Sequence, residues 1–146
     1  MTFRHHILPA ALTLLLAFSL YTVMKPQPGA LLLRATQIYV IDGDRIRVDA
    51  QTIRLTGFNA PEIRSAACEA ERITGIKAKD HLRGLIDRAR DLRLILRLKR
   101  DGTQVTDRYR RHLARFLLDE HDIADLMVNA DLAEPYSGGT RRSWCP

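Results

Sequence analysis

A rhythm of short apolar runs, each halted by a turn signal and interrupted once by a long helical stretch, constrains this chain most. From Leu31 to Val48 the sequence is rich in β-branched and aliphatic residues, broken only at Asp42-Gly43. Asp-Gly between such runs marks a turn or bulge. Ile53 to Phe58 is a second run, stopped by Asn59-Ala60-Pro61. Leu92 to Leu98 alternates as a strand does, Asp101-Gly102 marks a hairpin, and His112 to Leu118 returns as a strand. Between these runs, Cys68 to Ala89 places Ile73, Ile76, Leu82, Leu85 and Ile86 at near-helical spacing, although Gly75 and Gly84 weaken the pattern. Asp122 can cap a short helix through Leu126 and Val128, and the chain from Tyr136 onward reads as loop. Short strands with one helix inserted among them predict an α+β domain around a small closed barrel, the OB-type way of removing sheet edges.

The opening stretch stands apart from that domain. After Arg4-His5-His6, the run from Ile7 to Met24 carries no charge and its apolar residues go all round a helix. A basic flank followed by such a run is the pattern of a secretory signal or signal anchor, and it is just long enough to span a bilayer. No clear small-x-small cleavage site follows. The reading is therefore residues 1–24 as signal or anchor, 25–34 as a Pro/Gly-containing linker, and 35–146 as the domain. The domain is expected to be exported. It would be held on the outer side of the inner membrane by an uncleaved anchor, or secreted if the segment is removed.

An exported chain permits a disulfide between Cys68 and Cys145, the two cysteines present. Two independent thiols are the alternative if the chain stays in the cytosol. A bridge would close a loop of about 77 residues and stabilise by roughly 3–4 kcal/mol in the loop-entropy model. Charge points to a partner class. The 146-residue chain carries a formal net charge of +6, and 19 of its 23 basic residues are arginine. Arginine forks onto phosphate oxygens in pairs of hydrogen bonds, so a polyanion such as nucleic acid, or an anionic membrane surface, is favoured.

Three segments carry the chemistry: Ile41-Asp42-Gly43-Asp44, Ile53-Arg54-Leu55 through Asn59-Ala60-Pro61-Glu62, and Asp107-Arg108-Tyr109-Arg110-Arg111. Each sets a carboxylate or an arginine beside a turn. Strand parity groups Asp44 with Ile46 and Val48, aiming it along the core side, and sends Arg45 the other way. A hard cation with oxygen ligands can activate water and neutralise a phosphate. Asp44 is the best ligand candidate, and Asn59 can add a carbonyl oxygen. Glu62 is placed to orient or deprotonate a water. Arg54 and Arg111 can bind phosphate oxygens as charge develops on them.

Together these segments resemble the thermonuclease family, the micrococcal-nuclease-like domains, over about Ala35 to Leu132. The resemblance implies a five-stranded OB-type barrel with about three helices, cleaving DNA and RNA, single-stranded or open regions first, with calcium. It implies Asp44 and Asn59 at the metal and Glu62 as general base or water-orienting residue. Arg54 and Arg111 become phosphate contacts, Tyr109 with Arg108 beside it a contact to a neighbouring phosphate, and a monomer is expected. Three positions depart from the family pattern. Asn59 replaces a carboxylate, so calcium affinity should fall. Arg45 replaces a threonine, and Arg110 a glycine, which restricts the backbone before Arg111. The alternative function is a catalytically impaired module of this fold that binds nucleic acid or a partner protein.

Overall fold

The computed structural model describes residues 27–146. The segment read as signal or anchor lies outside the described residues. Among them, no helix is long and apolar enough to cross a membrane.

The described residues form nine strands and two α-helices. The strands are β1 (Ala30–Leu33), β2 (Ile38–Asp42), β3 (Arg45–Val48), β4 (Gln51–Leu55), β5 (Gly57–Asn59), β6 (Leu92–Leu96), β7 (His112–Leu118), β8 (His121–Asp122) and β9 (Glu134–Tyr136). The helices are α1 (Glu69–Arg88) and α2 (Ile123–Asn129). One curled mixed sheet runs β1-β6-β7-β4-β3-β2, with β8 on β7, and β5 pairs β9 in a separate two-stranded sheet. β4 and β7 are parallel, joining Ile53 to His112 and Leu55 to Ala114 across 59 residues or so of intervening chain.

The α+β class thus stands, with two α-helices among the described residues instead of about three, plus a 3-10 turn at Ala35–Gln37. The sheet is curled and not closed by pairing, because its end strands β1 and β2 each have a single neighbour. β1 lies inside the stretch read as linker: Ala30 to Leu33 pair with β6, so the sheet begins before Ala35. Three leucines on a sheet edge outweigh the loop signal of the preceding Pro-Gly.

Burial follows the sequence pattern. Ile38, Val40, Ile46, Val48, Ile53, Leu55, Leu92, Leu94, Phe116 and Leu118 point inward from alternate strand positions. Ala78, Leu82 and Ile86 lay α1 on that core. Glu69 and Glu71 in its first turn and Arg88 in its last complement the helix dipole. Asp122 accepts from the Ala124 N–H at 3.0 Å and starts α2.

Two glycines set the site. A Cβ on Gly43 would lie 2.6 Å from the Ala60 Cβ and 2.8 Å from that of Ala78. Gly43 therefore lets the β2–β3 turn touch both the segment after β5 and α1. A Cβ on Gly75 would lie 2.8 Å from the Glu62 carbonyl oxygen and 2.9 Å from that of Pro61. The glycine that weakens the helical pattern is what allows α1 to press against the Pro61-Glu62 backbone.

Candidate active site

Asp42, Asp44, Arg54 and Asn59 are the buried polar and charged residues among those described. A bulge in β2, where the register shifts between Val40 and Asp42, turns both aspartates inward. Asp44 Oδ2 accepts from the Ala60 N–H at 3.0 Å and lies 3.1 Å from an Arg54 nitrogen. Arg54 also donates to the carbonyls of Leu55 and Phe58, the latter at 2.8 Å. Its fork is thereby fixed by the chain around it.

Burial pushes the Asp44 carboxyl up to about 6, against the pull of Arg54; the nearby Asp42 and Glu62 charges add to the rise. Burial likewise pulls the Arg54 guanidinium below its usual range. Asp44 opposes that fall, and Arg111 and Arg141 deepen it.

Glu62 sits on the loop between β5 and α1. Glu71 holds its backbone, accepting from the Glu62 N–H at 3.2 Å and from the Ala67 N–H at 2.7 Å. The Glu62 carboxylate meets Arg45 at 3.5 Å, Ser65 at 3.3 Å and Arg141 at 3.2 Å. Asp44 stands in the turn before β3 and Arg45 opens that strand; the Arg45 guanidinium bridges Asp42 and Glu62.

Arg111 is placed by its own turn. Asp107 accepts from the backbone N–H groups of Tyr109 at 2.8 Å and Arg111 at 3.0 Å, and from Arg111 Nε at 2.7 Å. Burial works to raise the Asp107 carboxyl, but these donors hold it below its ordinary range. Arg110 takes the left-handed backbone (φ 61°) that the position demands, at a steric cost glycine would not carry. Tyr109 is 62% exposed, with the guanidinium carbons of Arg108 and Arg111 4.8 and 5.2 Å from its ring centre.

These parts converge. An open cleft of about 800 Å³ is walled by Arg45, Glu62, Arg108, Tyr109, Arg111 and Arg141 among others. An adjoining one of about 700 Å³ shares Arg108, Tyr109, Arg111 and Arg141 and adds Arg54. Every sequence-named candidate for phosphate contact or proton transfer lines one of the two. Asp44 and Asn59 line neither; they lie beneath.

Asn59 is 3% exposed. Its Nδ2 donates to Glu134 at 3.4 Å, while its Oδ1 is buried without a hydrogen-bond partner. An orphaned buried carbonyl is costly and suits a cation or water. Asp44 accepts from Ala60 and pairs with Arg54 through Oδ2 alone, and its Oδ1 takes no hydrogen bond from the described residues. Asp44 and Asn59 therefore fit a hard, oxygen-seeking cation in kind. With one carboxylate and one amide they make a weakly charged donor set. Among the described residues, no group of three His, Cys, Asp or Glu side chains is gathered as a metal cluster.

The Cys68–Cys145 bridge expected of an exported chain is present, but Arg141, Arg142 and Glu134, which it helps bring to the site, are not legible in the sequence. The disulfide joins Cys68, the residue before α1, to Cys145, with Cα atoms 6.0 Å apart. It pins a segment that brings Arg141 to Glu62. The Arg142 N–H donates to Glu134 Oε1 at 3.0 Å, the same oxygen that meets Asn59. β9, which takes in Tyr136 from the stretch expected to be loop, pairs with β5 and sets Glu134 opposite Asn59. Three residues centred on a proline give no periodicity; only the cysteine pair hinted that the tail returns to the site. No protein-family model matches the chain, and no curated protein does.

Proposed function

We propose that this chain is an exported, membrane-anchored or secreted nuclease of the thermonuclease type, hydrolysing phosphodiester bonds of DNA and RNA with calcium. On this reading the curled sheet is an OB-type barrel left open between β1 and β2. The observation that carries it is the convergence of Glu62 and Arg54 on two adjoining, open, arginine-walled clefts that share Arg111 and Arg141.

A phosphodiester in the cleft is oriented by the Arg111 and Arg54 guanidinium groups, whose forks match the oxygens of the more highly charged transition state. Glu62 takes a proton from a water as the water oxygen attacks phosphorus. The opposite P–O ester bond breaks with its electron pair on the leaving oxygen, which takes a proton from solvent water. Asp44 and Asn59 would hold calcium, which when bound neutralises charge at a phosphoryl oxygen. Tyr109 and Arg108 position the adjacent nucleotide.

One observation favours the second reading, a binding module without catalysis. Each carboxylate of the site already has an arginine: Asp42 has Arg45, Asp44 has Arg54, and Glu62 has Arg45 and Arg141. The three carboxylates are thus balanced by Arg45, Arg54 and Arg141 without a metal.

The test incubates the purified chain with denatured DNA and with RNA while calcium is titrated against a chelator. The nuclease reading expects cleavage that needs abundant calcium, falls on the order of 10²–10⁴-fold in Glu62→Gln, and needs less calcium in Asn59→Asp. Strands bound but uncut at every calcium level, by the wild type and by Asn59→Asp alike, would sink catalysis and leave the binding module.

A further inference from the structure

On the other side of Arg45 the molecule carries a second tyrosine flanked by cations. In β2, Ile38, Val40 and Asp42 are buried, which turns Tyr39 to the outer face with 59% of its surface exposed. Tyr39 lies directly across from Arg47 in the β2–β3 register. The Arg47 guanidinium carbon is 5.7 Å from the Tyr39 ring centre, and the Lys79 ammonium reaches the same ring from α1 at 5.8 Å. A cavity of about 330 Å³ opens here, lined by Tyr39, Arg47, Lys79, Arg64 and Arg45, with Ile41 and Ile63 as apolar wall.

The charge of this patch is not balanced. Asp42, its acidic member, is engaged by Arg45. Among the described residues, Arg47, Arg64 and Lys79 form no salt bridge. Three uncompensated cations around an exposed aromatic ring make a site for an anion that also carries a flat apolar face. A nucleotide within a single strand has both parts, a phosphate for the cations and a base to stack on the ring. A lipid headgroup offers the charge without the face.

Arg45 belongs to this cavity and to the Glu62 cleft alike. The two openings are therefore neighbours, with Tyr109 and its arginines beyond Glu62 on one side and Tyr39 on the other. We propose that Tyr39, Arg47, Lys79 and Arg64 form a second single-strand contact, taking the nucleotides that run past Arg45 from the cleft. The inference rests on the nucleic-acid reading of that cleft. It assigns to the β2–β3 outer face the task of holding longer strands, separate from the residues at the phosphate to be cut.

The experiment uses the full chain in detergent with chelator present, so that nothing is cleaved. Binding is followed by fluorescence anisotropy with labelled thymidine oligonucleotides of about three and about ten nucleotides, bracketing the lower range of strand-site sizes. Tyr39→Ala should weaken the longer strand about tenfold, the scale of one lost base stack, and leave the shorter unchanged. Tyr39→Phe should keep wild-type affinity, since the ring remains. Arg47→Ala with Lys79→Ala should flatten the salt dependence for the longer strand by roughly 1.4, about 0.7 for each phosphate contact on a single strand. If the wild type binds and these variants match it on both strands, the second contact does not exist while the nuclease reading stands. Equal loss on both lengths overturns it too. So does an effect of Tyr39→Ala confined to anionic phosphatidylglycerol vesicles. A wild type that binds no strand of either length defeats the nucleic-acid reading itself.

Discussion

Asp44 and Glu62 are carboxylates of one site held in opposite ways. Asp44 is buried at a sheet bulge, and its Oδ2 is shared by a backbone N–H and an arginine that is itself tied to two carbonyls. Glu62 is part-exposed on a loop, and its carboxylate partners are the tips of the Arg45 and Arg141 side chains and the Ser65 hydroxyl. One of these, Arg141, comes from a tail 79 residues further along the chain. The difference separates tasks. A metal or charge anchor benefits from a position that cannot relax. A group that accepts a proton must meet water and exchange partners, so tethers that give way serve it better than burial.

The sharpest way to break the rigid half is Arg54→Met. It leaves Asp44 as an uncompensated buried carboxylate and two carbonyls without their donor, so a loss of about 3–5 kcal/mol is expected in urea unfolding. An unchanged midpoint would mean that Asp44 is not held by Arg54. The adjustable half is tested by removing the bridge. Cys68→Ser with Cys145→Ser should cost about 4 kcal/mol by loop entropy. At temperatures where the core remains folded, it should also abolish the Arg141–Glu62 contact, read as increased hydrogen exchange confined to residues 134–146.

A smaller effect is expected at Arg110, whose backbone is left-handed. Arg110→Gly should relieve left-handed strain, offset in part by glycine's greater freedom when unfolded, for a gain of about 0.5–1 kcal/mol in thermal unfolding. A loss there would mean that the Arg110 side chain contributes more than its backbone costs. The smallest effect concerns acid. The Asp107 carboxyl is depressed in the folded chain, so its contribution is present above the ordinary aspartate range. It is lost as pH falls through the lowered folded value. Carbon-detected NMR titration should find its midpoint below 3.8, the ordinary value; a midpoint above that would remove Asp107 as the organiser of the Arg111 turn.

Much of the framework was legible because local and tertiary forces agree in it. The span from Cys68 to Ala89 is α1 with its two caps, the His112 to Leu118 run is β7, and Asp122 caps α2. Asp44, Arg54, Glu62 and Arg111 announce themselves by charge beside turn residues. The role of Arg45 did not. Parity describes where a Cβ points, but a long guanidinium stem can curl back over a bulge to two carboxylates. Gly75 was legible only as a flaw in a helix, since its reason lies in the Pro61 and Glu62 carbonyls across the gap.

The sequence by itself determined the α+β class, the order of elements and the residues that can do the chemistry, because periodicity, turn chemistry and side-chain type are local properties. Only the tertiary structure decided which charges neutralise which. It paired Arg54 with Asp44, bent Arg45 onto Asp42 and Glu62, and delivered Arg141 through the Cys68–Cys145 bridge. Those pairings depend on distances of a few ångströms between segments far apart in the chain, and the energy of a charge in a low-dielectric interior depends on those distances.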